Sequence, residues 1–357
     1  MKNSTQHQRL GCLLLVAIFA GCSSETEPLA PTPPKQYPAP EPISYSVPGV
    51  PPMSVPSSNP TTVQGVALGR RLFYDTRLSG DNTMSCGTCH QQEFAFGDAN
   101  NRFSLGIDGN PGDRNTPALS NVGFTTALFW NGRAASPEEQ ARAPVTNPIE
   151  MHTTWPEVVA KLRQDSEYPD LFGLAFGNDS ITEDRVVQAI AQFERSMISA
   201  NSAYDRWRAS SQSAPYPEEA RRGFFLFFTE TGDCFHCHSD FSFTIQEFRD
   251  IGLDAVPDSG LARVTGLPED YGKFKIPTLR NVAVSAPYMH DGRFATLEQV
   301  VDHYNSGGHR SPNLDPFIRV GEGLGLTAQQ KSDIIAFLHT LTDSTFLNNQ
   351  ELSDPFP

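Results

Sequence analysis

At 357 residues the chain has room for two ordinary domains with a sizeable core, or for one large one. Its 38% hydrophobic content is that of a folded protein, and its 29 prolines and 27 glycines commit many residues to turns. A net charge of -14 argues against nucleic acid or an anionic membrane surface as partner, since both repel an acidic protein, but suits a basic electron-donor protein.

In chain order, Lys2 and Arg9 precede the apolar run LLLVAIFA, which is too short to span a bilayer and reads as an export signal over residues 1–21. It ends in FAGC, where Ala20, Gly21 and Cys22 resemble a bacterial lipobox; an ordinary signal peptide with a chance cysteine is the other reading. Cleavage before Cys22 would leave its thiol lipidated, and Ser23 resembles the outer-membrane sorting pattern. The expectation is a periplasmic protein of a Gram-negative bacterium, held to the outer membrane only by its lipid. Residues 22–60, rich in Pro and Ser, read as a semi-extended tether with no means of packing a core.

An amphipathic stretch, VALGRRLFYD (66–75), leads to CGTCH at 86–90. Helical spacing recurs over 137–143, 155–164 and 182–198, with Ser136 and Thr182 as caps. Polar and proline residues near 210–217 interrupt the pattern and suggest a boundary between domains over 61–210 and 211–345. A second amphipathic stretch, EEARRGFFLFFTE (218–230), leads to CFHCH at 234–238, and helical patterns return at 296–304 and 327–341 behind Thr296 and Thr327. No strand-rich region stands out, and 346–357 read as a tail. The fold class is therefore mainly α, with two cytochrome c-like domains, each around one covalent haem, and long loops.

The six cysteines carry that assignment. Cys12 lies in the signal and Cys22 takes the lipid, which leaves Cys86, Cys89, Cys234 and Cys237 as two Cys-x-x-Cys pairs, each followed at once by histidine. Two thiols at this spacing add to the two vinyl groups of one porphyrin, while the adjacent His90 or His238 binds the iron. The rivals are a split zinc site, disfavoured by the long separation of the pairs, and thioredoxin-like redox pairs, which do not need histidine next. His236, inside the second motif, reads as a spacer residue. The cofactors expected are two covalently bound haem c groups.

Between and after these motifs come GDRNTPALSN (112–121), FWNGRA (129–134), EEQARAPVTNPIEM (138–151) and KIPTLRNVAVSAPYMHDGRFATLEQVVDHY (275–304). Their content and order resemble the bacterial dihaem cytochrome c peroxidase superfamily, which includes the MauG-type enzymes. The resemblance implies that the first haem, on His90, meets hydrogen peroxide and the second, on His238, relays electrons. It places Trp130 between the porphyrins, Glu150 as the group that moves a proton between peroxide oxygens, and Gln140 and Pro144 in the distal pocket. Residues 91–130 contain neither histidine nor methionine, so a five-coordinate first haem is expected at rest, with no ligand role for His152. The resemblance also implies a calcium on the Asn115 side chain and the carbonyls of Lys275 and Pro277, an oxygen set suited to a hard cation.

Peroxidases of this superfamily commonly place methionine where this chain has Tyr304, at the end of the helix after TLEQVV. A phenolate favours ferric or higher iron, which is the MauG-type pattern. The alternative is a buried, hydrogen-bonded Tyr304, with iron held by His303, His309 or Met289; helical geometry lets only one of His303 and Tyr304 face the iron. His290 matches a non-ligand position. MauG carries a tryptophan just before its second haem motif, whereas Gly232 stands there here, so the partner and docking route are not implied. Three functions stay open: a peroxidase fed by a small periplasmic cytochrome c or copper protein, a maturase that oxidises aromatic residues of a protein substrate, or a non-enzymatic dihaem electron carrier. The resemblance leaves room for a homodimer.

Overall fold

A computed structural model describes residues 1, 3, 35–98 and 101–356. The chain divides into two compact units, Met1–Lys35 and Gln36–Pro357, and all the haem-related motifs lie in the second. The apolar run, Cys12 and the expected lipidation site Cys22 lie outside the described residues. No helix among the described residues is long and apolar enough to cross a membrane.

The architecture is mainly helical. The helices are α1 (Val63–Tyr74), α2 (Cys86–Cys89), α3 (Pro137–Thr146), α4 (Trp155–Gln164), α5 (Tyr168–Phe176), α6 (Glu183–Arg195), α7 (Ala203–Ala209), α8 (Glu218–Phe227), α9 (Ala262–Thr265), α10 (Leu297–Ser306), α11 (Ala328–His339) and α12 (Ser344–Leu347). Two two-residue strands, β1 (Phe248–Arg249) and β2 (Phe274–Lys275), pair antiparallel with Phe248 opposite Lys275. Ser and Thr caps start the long helices as their sequences require: Ser136, Thr154, Thr182, Thr296 and Thr327 each accept from the third backbone N–H beyond them.

There are two apolar cores. The first gathers Leu68, Leu72 and Phe73 of α1 with Val186, Val187, Ile190 and Phe193 of α6; the second gathers Phe227 of α8, Val301 of α10 and Ile334, Phe337 and Leu341 around α11. The same crossing builds both. A Cβ on Gly69 of α1 would lie 1.8 Å from the Ala189 carbonyl oxygen and 2.9 Å from the Phe193 Cβ, and a Cβ on Gly223 of α8 would lie 1.8 Å from the Asp333 carbonyl oxygen and 2.9 Å from the Phe337 Cβ. Glycine lets each leading helix touch its partner's backbone, which brings the attachment motif that follows onto the core.

Three stretches differ from the expectation. Residues 36–60 are packed on the first core: Ile43 N–H donates to Thr61 O at 2.9 Å, Asn59 is buried with its amide on Glu138 and Gln188, and the Tyr37 ring fills the space above Gly173. Tyr37 and Asn59 supply anchors that a proline count overlooks. Helix α7 belongs with the second core, because Tyr204 packs there and its N–H donates to Thr340 O. The tail returns to the first core, where Phe346 and Leu352 are buried and Tyr74 donates to Leu352 O at 2.8 Å. Helices α5 and α7 were also unforeseen: α5 is apolar on most sides, and α7 spans only 7 residues.

Candidate active site

Each attachment motif presents its histidine in the same way. His90 Nδ1 lies 2.6 Å from the Phe96 carbonyl oxygen and His238 Nδ1 lies 2.9 Å from that of Phe243. A carbonyl on Nδ1 fixes the tautomer with the proton there, which leaves Nε2 as a lone-pair donor for a metal. Burial pushes both imidazoles down, His238 to about 4, and so keeps them neutral. The four cysteines are free thiols, and burial pushes Cys86 and Cys234 up to about 12 and Cys89 and Cys237 up to about 11.

Around the second motif lies a cavity walled by Leu297, Val300, Val301, Leu324, Ile334 and Leu338, with Cys234, Cys237, His238 and Tyr304 facing it. Tyr304, near the end of α10, is the polar group that α10 turns inward. Burial, together with the Cys237 and Cys234 thiols that it faces, holds its hydroxyl well above the ordinary tyrosine range. Among the described residues that hydroxyl has no hydrogen-bond partner. The other candidates divide: His303 is tied through Nε2 to the Ile251 carbonyl at 3.0 Å, His309 is exposed, and His290 stacks on Phe274 at 3.6 Å, while Met289 shares the cavity wall. Two free thiols, an available Nε2, an unpartnered phenol and an apolar slot form a donor set that fits a covalent haem.

The first site is built from the same parts with one change. Helix α3 starts at the Ser136 cap and α10 at the Thr296 cap, and each follows a matching turn, in which Leu128 bridges Ala134 and Tyr288 bridges Phe294. Counting from the caps, Pro144 stands where Tyr304 stands. Proline has no side-chain ligand atom and no N–H, so Pro144 offers nothing to an iron and its helical bond to the Gln140 carbonyl is missing. Glu150, just beyond α3, faces Cys86 and Cys89 closely enough to raise both thiols. Its own carboxyl is raised by burial, against the lowering effects of an Asn147 amide at 2.5 Å and of Arg133. His152 turns outward, to Asp108 at 2.8 Å.

Trp130 joins the two halves. Its Nε1–H donates to Asn115 O at 2.8 Å, and its carbonyl accepts from Lys275 N–H at 2.8 Å. Asn115, Lys275 and Pro277 all line the second cavity. The Asn115 amide nitrogen faces the Asn101 and Arg102 carbonyls, which leaves Oδ1 on the opposite side; the Pro277 carbonyl also faces His238. Lys275 is half-buried, and desolvation pushes its amine down to about 8.

Comparison with known proteins decides the family. A profile described as "Di-haem cytochrome c peroxidase" matches residues 63–213. The methylamine utilization protein MauG of Methylorubrum extorquens is 40% identical over 292 residues, covering 80% of each chain. The chain belongs to the dihaem cytochrome c peroxidase and MauG family. A cytochrome-c peroxidase of Denitromonas iodatirespirans, IdrP1, is 33% identical over 326 residues, with 82% of this chain and 85% of that one covered. A crystal structure of a MauG-like protein associated with microbial copper homeostasis superposes with a TM-score of 0.80 at 36% identity, over 87% of this chain and 99% of that one. As a member, the protein is a haem oxidoreductase with two c-type haems. Sequence reasoning passed over Arg133 and Asn147, the two groups that oppose the effect of burial on Glu150. Arg133 was visible in FWNGRA, but nothing in the sequence says that its guanidinium folds over the Phe129 ring, 3.3 Å from the centroid, and faces Glu150.

Proposed function

We propose that the protein is a periplasmic, MauG-like dihaem enzyme that reduces hydrogen peroxide at the first haem with electrons that arrive through the second. The single observation that carries this reading is that Pro144 and Tyr304 occupy matching positions: a haem on His90 would keep its α3 face open to a small oxidant, and one on His238 would meet a phenol. The haems supply the redox chemistry when bound, one taking peroxide and the other holding oxidising equivalents.

The chain's own residues do the rest. Cys86, Cys89 and His90 would hold the first haem, and Cys234, Cys237, His238 and Tyr304 the second. Glu150, as carboxylate, would take the proton from the nearer peroxide oxygen and return it to the departing one, and Asn147 and Arg133 oppose the effect of burial on it. Gln140 stands four residues before Pro144 on α3 and borders the same open face. Trp130, hydrogen-bonded to one half and accepting from the other, shortens the electron path between haems. A calcium on Asn115 Oδ1 and the carbonyls of Lys275 and Pro277 is part of the same reading, supported by the direction in which the Asn101 and Arg102 carbonyls turn the Asn115 amide.

The electrons come from a small donor cytochrome or copper protein, or from aromatic residues of a protein substrate. The exit cannot copy MauG's, because any side chain at Gly232 would meet the Leu226 carbonyl oxygen at 2.4 Å. Lipid attachment at Cys22 would keep the enzyme at the periplasmic face of the outer membrane. Rapid mixing of the fully ferric protein with peroxide tests the reading: an immediate change in haem absorbance is expected, whereas a reaction only after prior reduction would mark a peroxidase of the other kind.

A further inference from the structure

The second attachment motif carries an additional histidine, and its surroundings are unlike those of a spacer. His236 Nε2 lies 3.1 Å from Asp233 Oδ1 and 3.4 Å from Glu230 Oε1, and the three donor atoms all fall within 4.8 Å of one another. At these distances a hydrogen bond would be expected, yet His236 Nε2 and Asp233 Oδ1 are both buried and neither has a hydrogen-bond partner. The approach is close but off the ring's N–H axis. Donors that share a metal stand in this relation. With bonds of about 2.0–2.2 Å to nitrogen and oxygen, neighbouring donors are about 3.0–3.5 Å apart, and the imidazole lone pair points at the ion, not at the carboxylate.

The three groups are held for the purpose. The Asp233 side chain is 4% exposed, with Oδ2 on Arg319 at 2.6 Å, so that Oδ1 faces the cluster. The His236 ring packs on Phe317 at 4.0 Å with 9° between planes, and on Phe235 at 4.1 Å, which fixes its rotation. Glu230 is exposed and gives the site a solvent entrance.

We infer that Glu230, Asp233 and His236 bind one divalent first-row transition-metal ion beside the second haem. One imidazole and two carboxylates suit Cu2+ and Zn2+, with Cu2+ the tighter, and disfavour Ca2+ and Mg2+, which want oxygen alone. Solvent completes the coordination. Because His236 lies between the two haem-bearing cysteines in sequence, the bound ion places positive charge beside the second haem and leaves the first untouched.

The test uses the two-haem protein after treatment with a chelator, titrated with Cu2+ and separately with Zn2+. Metal content is read by dialysis, and the Cu2+ environment by electron paramagnetic resonance. One ion per chain is expected, with nitrogen coupling on the copper signal, no competition from excess Ca2+, and a redox midpoint that rises for the second haem only. Affinity should fall about tenfold or more in Glu230→Gln and in His236→Gln, as when a metal site loses a supporting group, and should hold in His152→Gln, a surface control. Glu230 lies outside the attachment motif, so its variant remains informative if His236→Gln impairs haem attachment. Absence of binding, retention of full affinity in both site variants, or loss of it in His152→Gln would overturn the assignment.

Discussion

Pro144 and Tyr304 stand at the same place in two copies of one helix, eight positions beyond the caps Ser136 and Thr296. Tyr304 carries a hydroxyl into the second cavity, where it faces Cys234 and Cys237, while Pro144 carries no donor at all. Haems held at the two sites would therefore meet chemically distinct faces, set by a single difference in residue type. Pro144→Tyr should convert the open face into a closed one: the first haem becomes six-coordinate and reacts poorly with peroxide, as read from its absorption and magnetic spectra.

Glu150→Gln keeps the side-chain shape and the Asn147 contact but removes the base. Peroxide cleavage should slow by about 10²–10⁴-fold, as on loss of a general acid–base group, with haem spectra unchanged. Burial raises this carboxyl, so its charged form is lost as pH falls at a higher pH than for an ordinary glutamate. The cleavage rate should therefore drop on acidification above the usual carboxylate range. The native protein should show that step in stopped-flow measurements across pH, and Glu150→Gln should not.

Trp130→Phe retains an aromatic ring but loses the Nε1–H bond to the Asn115 carbonyl at 2.8 Å. Electron exchange between the haems should slow while the affinity of the first site for small ligands stays the same. Equal slowing of both would place Trp130 in the binding site, not on the path.

The two glycine crossings give a stability prediction. Gly69→Ala and Gly223→Ala each drive a methyl to 1.8 Å from a carbonyl oxygen, so the helices must separate. Each should cost roughly 1–3 kcal/mol or more by overpacking, seen in denaturant unfolding. Phe346→Ala tests the returning tail, since Phe346 is 2% exposed in the first core and its removal should cost about 3–5 kcal/mol.

Much of this was legible in the sequence because the chemistry is local. Two thiols and a histidine in five residues announce a haem whatever the fold, and Ser136, Thr182, Thr296 and Thr327 cap helices where their patterns begin. What escaped was non-local. Residues 36–60 look like a linker until Tyr37 and Asn59 meet α5 and α6, and Phe346 looks like a tail residue until it reaches Phe96, 5.6 Å away between ring centroids. The partner of a buried group cannot be read from its own neighbours in sequence. His236 shows the same limit through Phe317, which lies far along the chain and meets its ring only in the fold, although the carboxylates of Glu230 and Asp233 are near neighbours in sequence.

Whether Tyr304 binds the second iron is read most directly from the absorption and electron paramagnetic resonance spectra of the fully ferric Tyr304→Phe protein beside the native one. With Tyr304 as ligand, the signals of the second haem change while those of the first are preserved, and the ferric variant no longer responds to peroxide through its second haem. Spectra identical to the native protein would contradict it and pass the ligand role to Met289 on the same cavity wall.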